Sequence, residues 1–239
     1  MSRVTVIVLA AGLSKRLRSG VSKPLIKINS IPVIIYSLNA FSRHPEIDEI
    51  IVTANGSNRA KIKKLISRHG ITKVKRIVLG GRRRQDSVAN ALKWLNGRGG
   101  LVLIHDSARP FIRKEDISKV IKEAKDSGAA ILGVPVKATI KSIVSCQLSV
   151  VRKYFVKETL DRNNLWEIQT PQAFRKELIL KAYKRSGKVK VTDDSMLVEK
   201  LGAQVMVVKG SYDNIKITTP EDLAVAEAIA QRFNLTTRN

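Results

Sequence analysis

The sequence predicts an α/β fold, doubly wound around a mostly parallel sheet, and three observations predict it. Val4–Ala10 is a near-continuous apolar run, the mark of a strand buried on both faces and hence of a parallel sheet covered by helices. Similar short runs alternate with segments of helical periodicity along the chain, which implies right-handed crossovers. The first run also opens directly into a glycine-bearing turn, at the end of a strand where open α/β sheets bind ligands.

Taken in order, the first strand is expected at 3–10 and a helix at 32–43. A β-branched strand at 49–54 (Ile50, Ile51, Val52) leads to a helix at 57–69. A strand at 74–79 leads to a helix at 83–96. The apolar strand at 100–105 precedes a helix at 114–127, and a strand follows at 129–135. Helices are then expected at 175–185 and 193–201, a strand at 204–208, and a last helix at 219–232 with Pro220 near its start and Thr219 as its cap. The stretch from Lys137 to Phe155 breaks this rhythm. It is β-branched and polar with a turn-like centre near Ser145–Ser149, so it reads as a β-hairpin inserted into the core, an arm at about 137–160. A lone hairpin is poorly stable, and packing on a second subunit would remedy that, so a homodimer formed through this arm is expected.

The chain of 239 residues is long enough for one substantial core, and residues 1–239 are expected to form a single domain. No stretch approaches the roughly eighteen apolar residues of a membrane span, and nothing resembles a signal peptide. Cys146 is the single cysteine, which excludes a disulfide framework and a cysteine metal site. A soluble, reducing, cytoplasmic setting is expected. Lys+Arg number 44 against 20 Asp+Glu, a net charge of +24, and residues 51–100 alone hold 13 basic residues and 1 acidic. Such charge attracts polyanions. No nucleic-acid-binding module accompanies it and aromatic residues are 5% of the chain, so a lysine-rich exterior around an enzyme for phosphorylated substrates is the preferred reading.

Five segments carry groups suited to that chemistry. Ala11-Gly12-Leu13-Ser14-Lys15-Arg16, with Arg18 and Lys23 beyond, offers backbone N–H groups and cations to phosphate oxygens, as a nucleoside triphosphate requires. Gly80-Gly81-Arg82-Arg83-Arg84-Gln85-Asp86-Ser87 allows close backbone approach to a flat ligand such as a base. His105-Asp106-Ser107-Ala108-Arg109-Pro110 ends a strand with a carboxylate placed to hold Mg²⁺; His105 reads as a structural strand histidine. Asp213-Asn214-Ile215-Lys216 adds a carboxylate and a lysine, which share a site only if Asp213 precedes a strand or lies in a bend. Thr192-Asp193-Asp194 suits a helix N-terminus, and such ends favour anions. No serine–histidine–aspartate set or His/Cys metal spacing is present in the sequence.

In this order the motifs resemble the 2-C-methyl-D-erythritol 4-phosphate cytidylyltransferases of the non-mevalonate isoprenoid pathway, from Val4 to about Ala228. The resemblance is carried by Ala10-Ala11-Gly12 with Arg16 and Lys23, Gly80-Gly81-x-x-Arg84-x-x-Ser87-Val88 and His105-Asp106-x-Ala108-Arg109-Pro110. Pro135-Val136-x-x-Thr139-Ile140-Lys141, Asp161-Arg162-Asn163, Thr170-Pro171-Gln172 and Asp213-Asn214-Ile215-Lys216 complete it. It implies a Rossmann-like sheet of the nucleotide-diphospho-sugar transferase type and transfer of CMP from CTP to the polyol phosphate. By the same resemblance, Ala10, Ala11, Gly12, Ser14, Lys15, Gly80, Gly81, Ser87 and Asp106 would bind CTP. Arg16, Lys23, Asp106, Asp213 and Lys216 would be catalytic. Asp106 and Asp213 would hold Mg²⁺ or another divalent cation. Arg109, Thr139, Thr170, Thr192, Asp213 and Lys216 would surround methylerythritol phosphate, and Arg162 would reach it from the partner's arm. The chain departs from the family pattern at Ser14 (usually glycine), at Ser22 and Pro24 beside Lys23, at Ala138 (commonly aspartate) and at Ser107 (commonly alanine). These changes bear on loop mobility and polyol recognition. Two alternatives stay open on sequence: a ribitol-5-phosphate cytidylyltransferase, and an inactive basic nucleic-acid-binding relative.

Overall fold

The computed structural model describes residues 3–12, 22–97, 99–148, 151–187 and 189–233. β1 (Val4–Ala10) is followed by a 3-10 turn at Lys23–Leu25, a small ribbon of β2 (Lys27–Ile28) and β3 (Ile31–Pro32), and α1 (Val33–Ser42). Then come β4 (Glu49–Ala54), α2 (Arg59–Arg68), β5 (Val74–Leu79), α3 (Arg84–Leu92), β6 (Leu101–Asp106), α4 (Lys114–Ser127) and β7 (Ala129–Pro135). β8 (Ile140–Leu148) and β9 (Val151–Leu160) form a separate two-stranded hairpin. β10 (Trp166–Arg175), α5 (Lys176–Arg185), α6 (Ser195–Glu199), β11 (Met206–Lys209) and α7 (Glu221–Arg232) complete the chain.

The main sheet has the order β11-β7-β10-β6-β1-β4-β5. All neighbouring pairs are parallel except those made by β10, which is antiparallel to both β6 and β7. Period-two alternation sorts each strand's side chains between two cores. Val4, Val6, Val8 and Ala10 of β1 face Leu38 and Phe41 of α1, Ile62 of α2, and Ile117, Val120 and Ile121 of α4. Ile7 faces the other way, toward Val88 of α3, Ile179 of α5 and Leu197 of α6. A third, smaller cluster joins Ala226, Ile229 and Ala230 of α7 to Tyr36, Phe111 and Ile217. That cluster clamps the irregular segment after β11 to the body of the molecule, which matters for Lys216.

The expected strands and helices stand within a few residues of their places, with three differences. β10 is absent from the sequence reading although it lies in mid-sheet. Pro171 interrupts its pattern, since proline donates no ladder hydrogen bond, and the register shifts there between Ile168 and Gln172 around a cis Thr170–Pro171 peptide. In the hairpin, the expected turn at Ser145–Ser149 is corrected: Ser145↔Tyr154 through Leu148↔Val151 are paired, so the strand continues to Leu148. Thr219 does not cap α7. The carboxylate of Asp222, the second residue of α7, instead accepts from the N–H groups of Thr218 (2.7 Å) and Thr219 (2.8 Å).

Candidate active site

The loops at the carboxyl ends of β1, β4, β5 and β6 meet on one rim of the sheet. Buried Asn58, ahead of α2, donates to the Ala10 carbonyl (2.8 Å) and to Ser22 Oγ (2.9 Å), tying the exit of β1 to the segment that carries Lys23. Asn55 donates to the Ala11 carbonyl at 3.2 Å. Gly12 is exposed. Ser14, Lys15 and Arg16, assigned above to CTP and catalysis, lie outside the described residues.

Gly80 and Gly81 are glycines for a steric reason. A Cβ on Gly80 would come within 2.2 Å of Ala11 Cβ and 2.8 Å of Ser87 Oγ, and one on Gly81 would meet Asp86 Cβ at 2.2 Å. The turn is therefore packed directly on the exit of β1. The Ser87 hydroxyl accepts from Gly81 N–H (3.0 Å) and donates to the Arg83 carbonyl (3.2 Å), so it shapes the turn from within α3. Arg83 and Asp86 close the same turn with a reciprocal ion pair.

Asp106, the last residue of β6, is the electrostatic centre. Its N–H donates to Thr170 Oγ1 (3.0 Å), and its two carboxylate oxygens accept from Arg84 Nε (3.0 Å) and Lys216 Nζ (2.5 Å). Burial alone would raise its carboxyl, but the adjacent Arg84 and Lys216 charges prevail and hold it far below the usual carboxylate range. Lys216 is placed by the strand-like pairing of Ile217 N–H with the Ala108 carbonyl at 2.9 Å. Lys23, from the 3-10 turn, donates to the Ile217 (3.4 Å) and Thr218 (3.3 Å) carbonyls. Two ammonium groups thus flank one short segment beside Asp106.

The other residues assigned from sequence fall into distinct groups. Arg109 is buried and spends its guanidinium on the Asn214 (2.7 Å) and Ile168 (3.2 Å) carbonyls, stitching the Lys216 segment to β10. Thr170 is buried too, and its hydroxyl is shared between Asp106 N–H and His105 Nδ1. Asp213 lies in a turn ahead of Lys216, and its oxygens are taken by Arg113 and Arg232. Those guanidiniums outweigh the effect of its partial burial and lower its carboxyl. Thr139, at the base of the hairpin, and Thr192 are exposed. Arg162 is also exposed and donates to the Lys137 carbonyl at 3.0 Å.

The structure adds residues to which the sequence reading gives no role. Arg84, the first residue of α3, bridges Asp106 and the buried Asp194 (Nη1 to Oδ2, 2.7 Å). Asp194 also accepts from the Tyr183 hydroxyl at 2.5 Å. Gln172 of β10 accepts from Asp194 N–H (3.0 Å) and donates to Asp193 (2.7 Å). The helix N-terminus expected at Thr192–Asp194 is thus filled by the chain's own carboxylates. Arg84 stands inside a quoted motif, but its partner Asp194 is 110 residues away, and nothing local announces the pairing.

A carboxylate flanked by cations on the rim of a parallel sheet, with glycine turns opposite, can hold a metal–triphosphate and offset the charge of two phosphorylated ligands. Among the described residues no three His, Cys, Asp or Glu side chains gather as a metal cluster. The family described as 2-C-methyl-D-erythritol 4-phosphate cytidylyltransferase matches residues 4–232. A protein of that name from Alkaliphilus metalliredigens is 44% identical over 231 residues, covering 95% of this chain and 93% of the relative. Another, from Geobacillus kaustophilus, is 43% identical over 226 residues, covering 93% and 95%. The crystal structure of a 4-diphosphocytidyl-2C-methyl-D-erythritol synthase from Anaerococcus prevotii superposes with a TM-score of 0.82 at 35% identity, covering 97% of each chain.

Proposed function

This chain belongs to the 2-C-methyl-D-erythritol 4-phosphate cytidylyltransferase family, and on that premise we propose how its residues perform the reaction. The enzyme transfers CMP from CTP to 2-C-methyl-D-erythritol 4-phosphate, giving 4-diphosphocytidyl-2-C-methyl-D-erythritol and pyrophosphate. The ribitol-5-phosphate alternative is not favoured, since the relatives named above carry the methylerythritol name. An inactive nucleic-acid-binding relative is not favoured either.

An oxygen of the substrate phosphate forms the new bond to the α-phosphorus of CTP, and the bond to the bridging oxygen breaks, sending its electron pair away with pyrophosphate. The nucleophile is a phosphate monoester, largely dianionic at neutral pH, so no general base is needed. Its difficulty is electrostatic: one anion must approach another. Lys23, Lys216 and Arg16 offset that repulsion and the charge of the transition state. Thr170 holds the Asp106 backbone, and Arg84 with Lys216 keeps its carboxylate ionised. Backbone at Ala10, Ala11, Gly12, Gly80 and Gly81, with Ser14, Lys15 and Ser87, receives the nucleotide. Arg109, Thr139, Thr170, Thr192 and Asp213 shape the polyol-phosphate side.

A Mg²⁺ ion, or another divalent cation, fits Asp106. An ionised carboxylate has about four acceptor positions, of which Arg84 and Lys216 take two, and Mg²⁺ favours one or two carboxylates together with substrate phosphates. Asp213 would have to release Arg113 or Arg232 to join it. When bound, the cation supplies charge neutralisation on the triphosphate. We place the work in the cytoplasm, by one domain per chain acting as a homodimer through the β8–β9 hairpin. That reading is supported by the exposed apolar residues Ile143, Val144, Tyr154, Phe155 and Val156 on a hairpin that pairs with no other strand among the described residues.

The observation that carries the assignment is the pairing of Arg84 and Lys216 with Asp106 at the end of β6, with Lys23 on the backbone of the segment that carries Lys216. Pyrophosphate release from CTP is expected with methylerythritol phosphate and magnesium, and not with ribitol-5-phosphate. Lys23→Ala and Arg16→Ala should each lower turnover by roughly two orders of magnitude or more, the scale of one electrostatic stabiliser. Near-normal turnover in both would overturn these roles.

A further inference from the structure

We infer that Asp194 is a positioning residue for the reaction, acting through Arg84 on Asp106. The inference rests on the placement of Asp106 at the reaction centre argued above. Arg84 begins α3 and divides its guanidinium between two carboxylates, Asp106 at 3.0 Å and Asp194 at 2.7 Å. Burial disfavours its charge, yet the two carboxylates prevail and hold it firmly cationic. Asp194 is fully buried just before α6, and its N–H and both carboxylate oxygens are partnered. Its N–H is received by Gln172, one oxygen accepts from Tyr183 Oη and the other from Arg84. Burial and the Asp194 charge together raise the Tyr183 hydroxyl above its ordinary range, so it stays a donor.

The consequence is a balance of charges around one arginine. Arg84 and Lys216 are matched by Asp106 and Asp194, and Lys216 is the exposed, movable member, with 41% of its side chain open to solvent. With Asp194 neutral, the whole Arg84 charge falls on Asp106, and the hold of Asp106 on Lys216 weakens. The Gly80–Ser87 turn keeps its own hydrogen bonds, so nucleotide binding is spared while the step that needs Lys216 suffers. Removing Asp194 by burial logic alone would also cost stability, because it leaves Arg84 half-paired in the interior. A split between turnover and CTP affinity separates the two effects.

The test compares Asp194→Asn, Tyr183→Phe, Arg84→Lys and the Asp194→Asn/Arg84→Lys pair, with Asp106→Asn as the reference. Turnover is measured on folded protein, and the CTP dissociation constant by calorimetry. Asp194→Asn is expected to lower kcat about tenfold, the scale of one charge-assisted hydrogen bond, with CTP affinity within about threefold of the parent. Tyr183→Phe, which keeps the ring, should shift kcat the same way by about threefold. In the double variant the two losses should not multiply, because both act on one guanidinium. Multiplying losses, or normal kcat with only a lowered melting temperature, would overturn the inference. Should Asp194→Asn fail to fold, an unchanged kcat in Tyr183→Phe overturns it equally. Normal turnover in Asp106→Asn would instead remove the site reading on which it rests.

Discussion

The ring of His105 is neutral in the folded protein, and its hydrogen bonds say why. Asp106 N–H donates to Thr170 Oγ1, which leaves the Thr170 hydroxyl hydrogen for His105 Nδ1, while Nε2–H points to the Arg109 carbonyl. A proton on Nδ1 would break that chain. The ring is fully buried with its edge against Phe41 (4.9 Å between centroids), and burial lowers its pKa to about 4. An unfolded histidine titrates near 6.5, so between those values the unfolded chain binds more protons and stability rises with pH. The contribution is complete above about pH 6.5 and is lost as pH falls toward 4, in total on the order of 3 kcal/mol. His44, lowered chiefly by burial, adds in the same direction. Urea unfolding at pH 7 and 4.5 should therefore show a steep loss in the parent and a flatter one in His105→Gln. An equal slope in both would place the pH sensitivity elsewhere.

The Gly80–Ser87 turn shows how an element, rather than a residue, shapes the surface proposed for the nucleotide. β5 delivers Gly80, whose N–H bonds the Ala54 carbonyl at 2.8 Å, against the exit of β1 with no room for a side chain. Gly80→Ala must push the Ala11 segment or the start of α3 aside. We expect CTP affinity to fall at least about tenfold while far-UV circular dichroism stays that of the parent, because a Cβ within 2.2 Å of Ala11 Cβ forces local repacking. Gly56→Ala is the control, because nothing lies within 4 Å of its added Cβ and its backbone is unstrained. Equal CTP affinity in the two variants would refute the packing argument. β10 and α3 matter at this same scale, since between them they supply Thr170, Gln172 and Arg84 to the surroundings of Asp106 and Asp194.

At the scale of the whole molecule, the β8–β9 hairpin carries exposed apolar side chains away from both cores, and Arg162 follows directly after it. If Arg162 serves the partner's site, a two-fold dimer contains two sites, each built from both chains. Lys23→Ala and Arg162→Glu proteins, each nearly inactive at limiting polyol phosphate, should then complement when mixed and refolded together. Half of randomly formed dimers are mixed and each holds one intact site, so about a quarter of parental activity is expected. No recovery, with mixed dimers present by mass, would return Arg162 to its own chain's surface.

Local pattern settled a great deal. The apolar run Val4–Ala10, the alternation of strand and helix, and the glycines at 80 and 81 state burial, period and backbone freedom, which are properties of neighbouring residues, and motif order carried the family. Pro171 and polar neighbours hid β10, whose place in mid-sheet is decided by the two strands that flank it. Lys216 meets Asp106 and Arg84 meets Asp194 across 110 residues each. No periodicity encodes such meetings, because they depend on how β10, α3 and the segment after β11 pack around one end of β6. The sequence by itself determined the alternation of strand and helix and which polar residues its loops carry. Only the tertiary structure decided which cation faces which carboxylate, since a buried charge takes its partner from whatever the packed fold brings within reach.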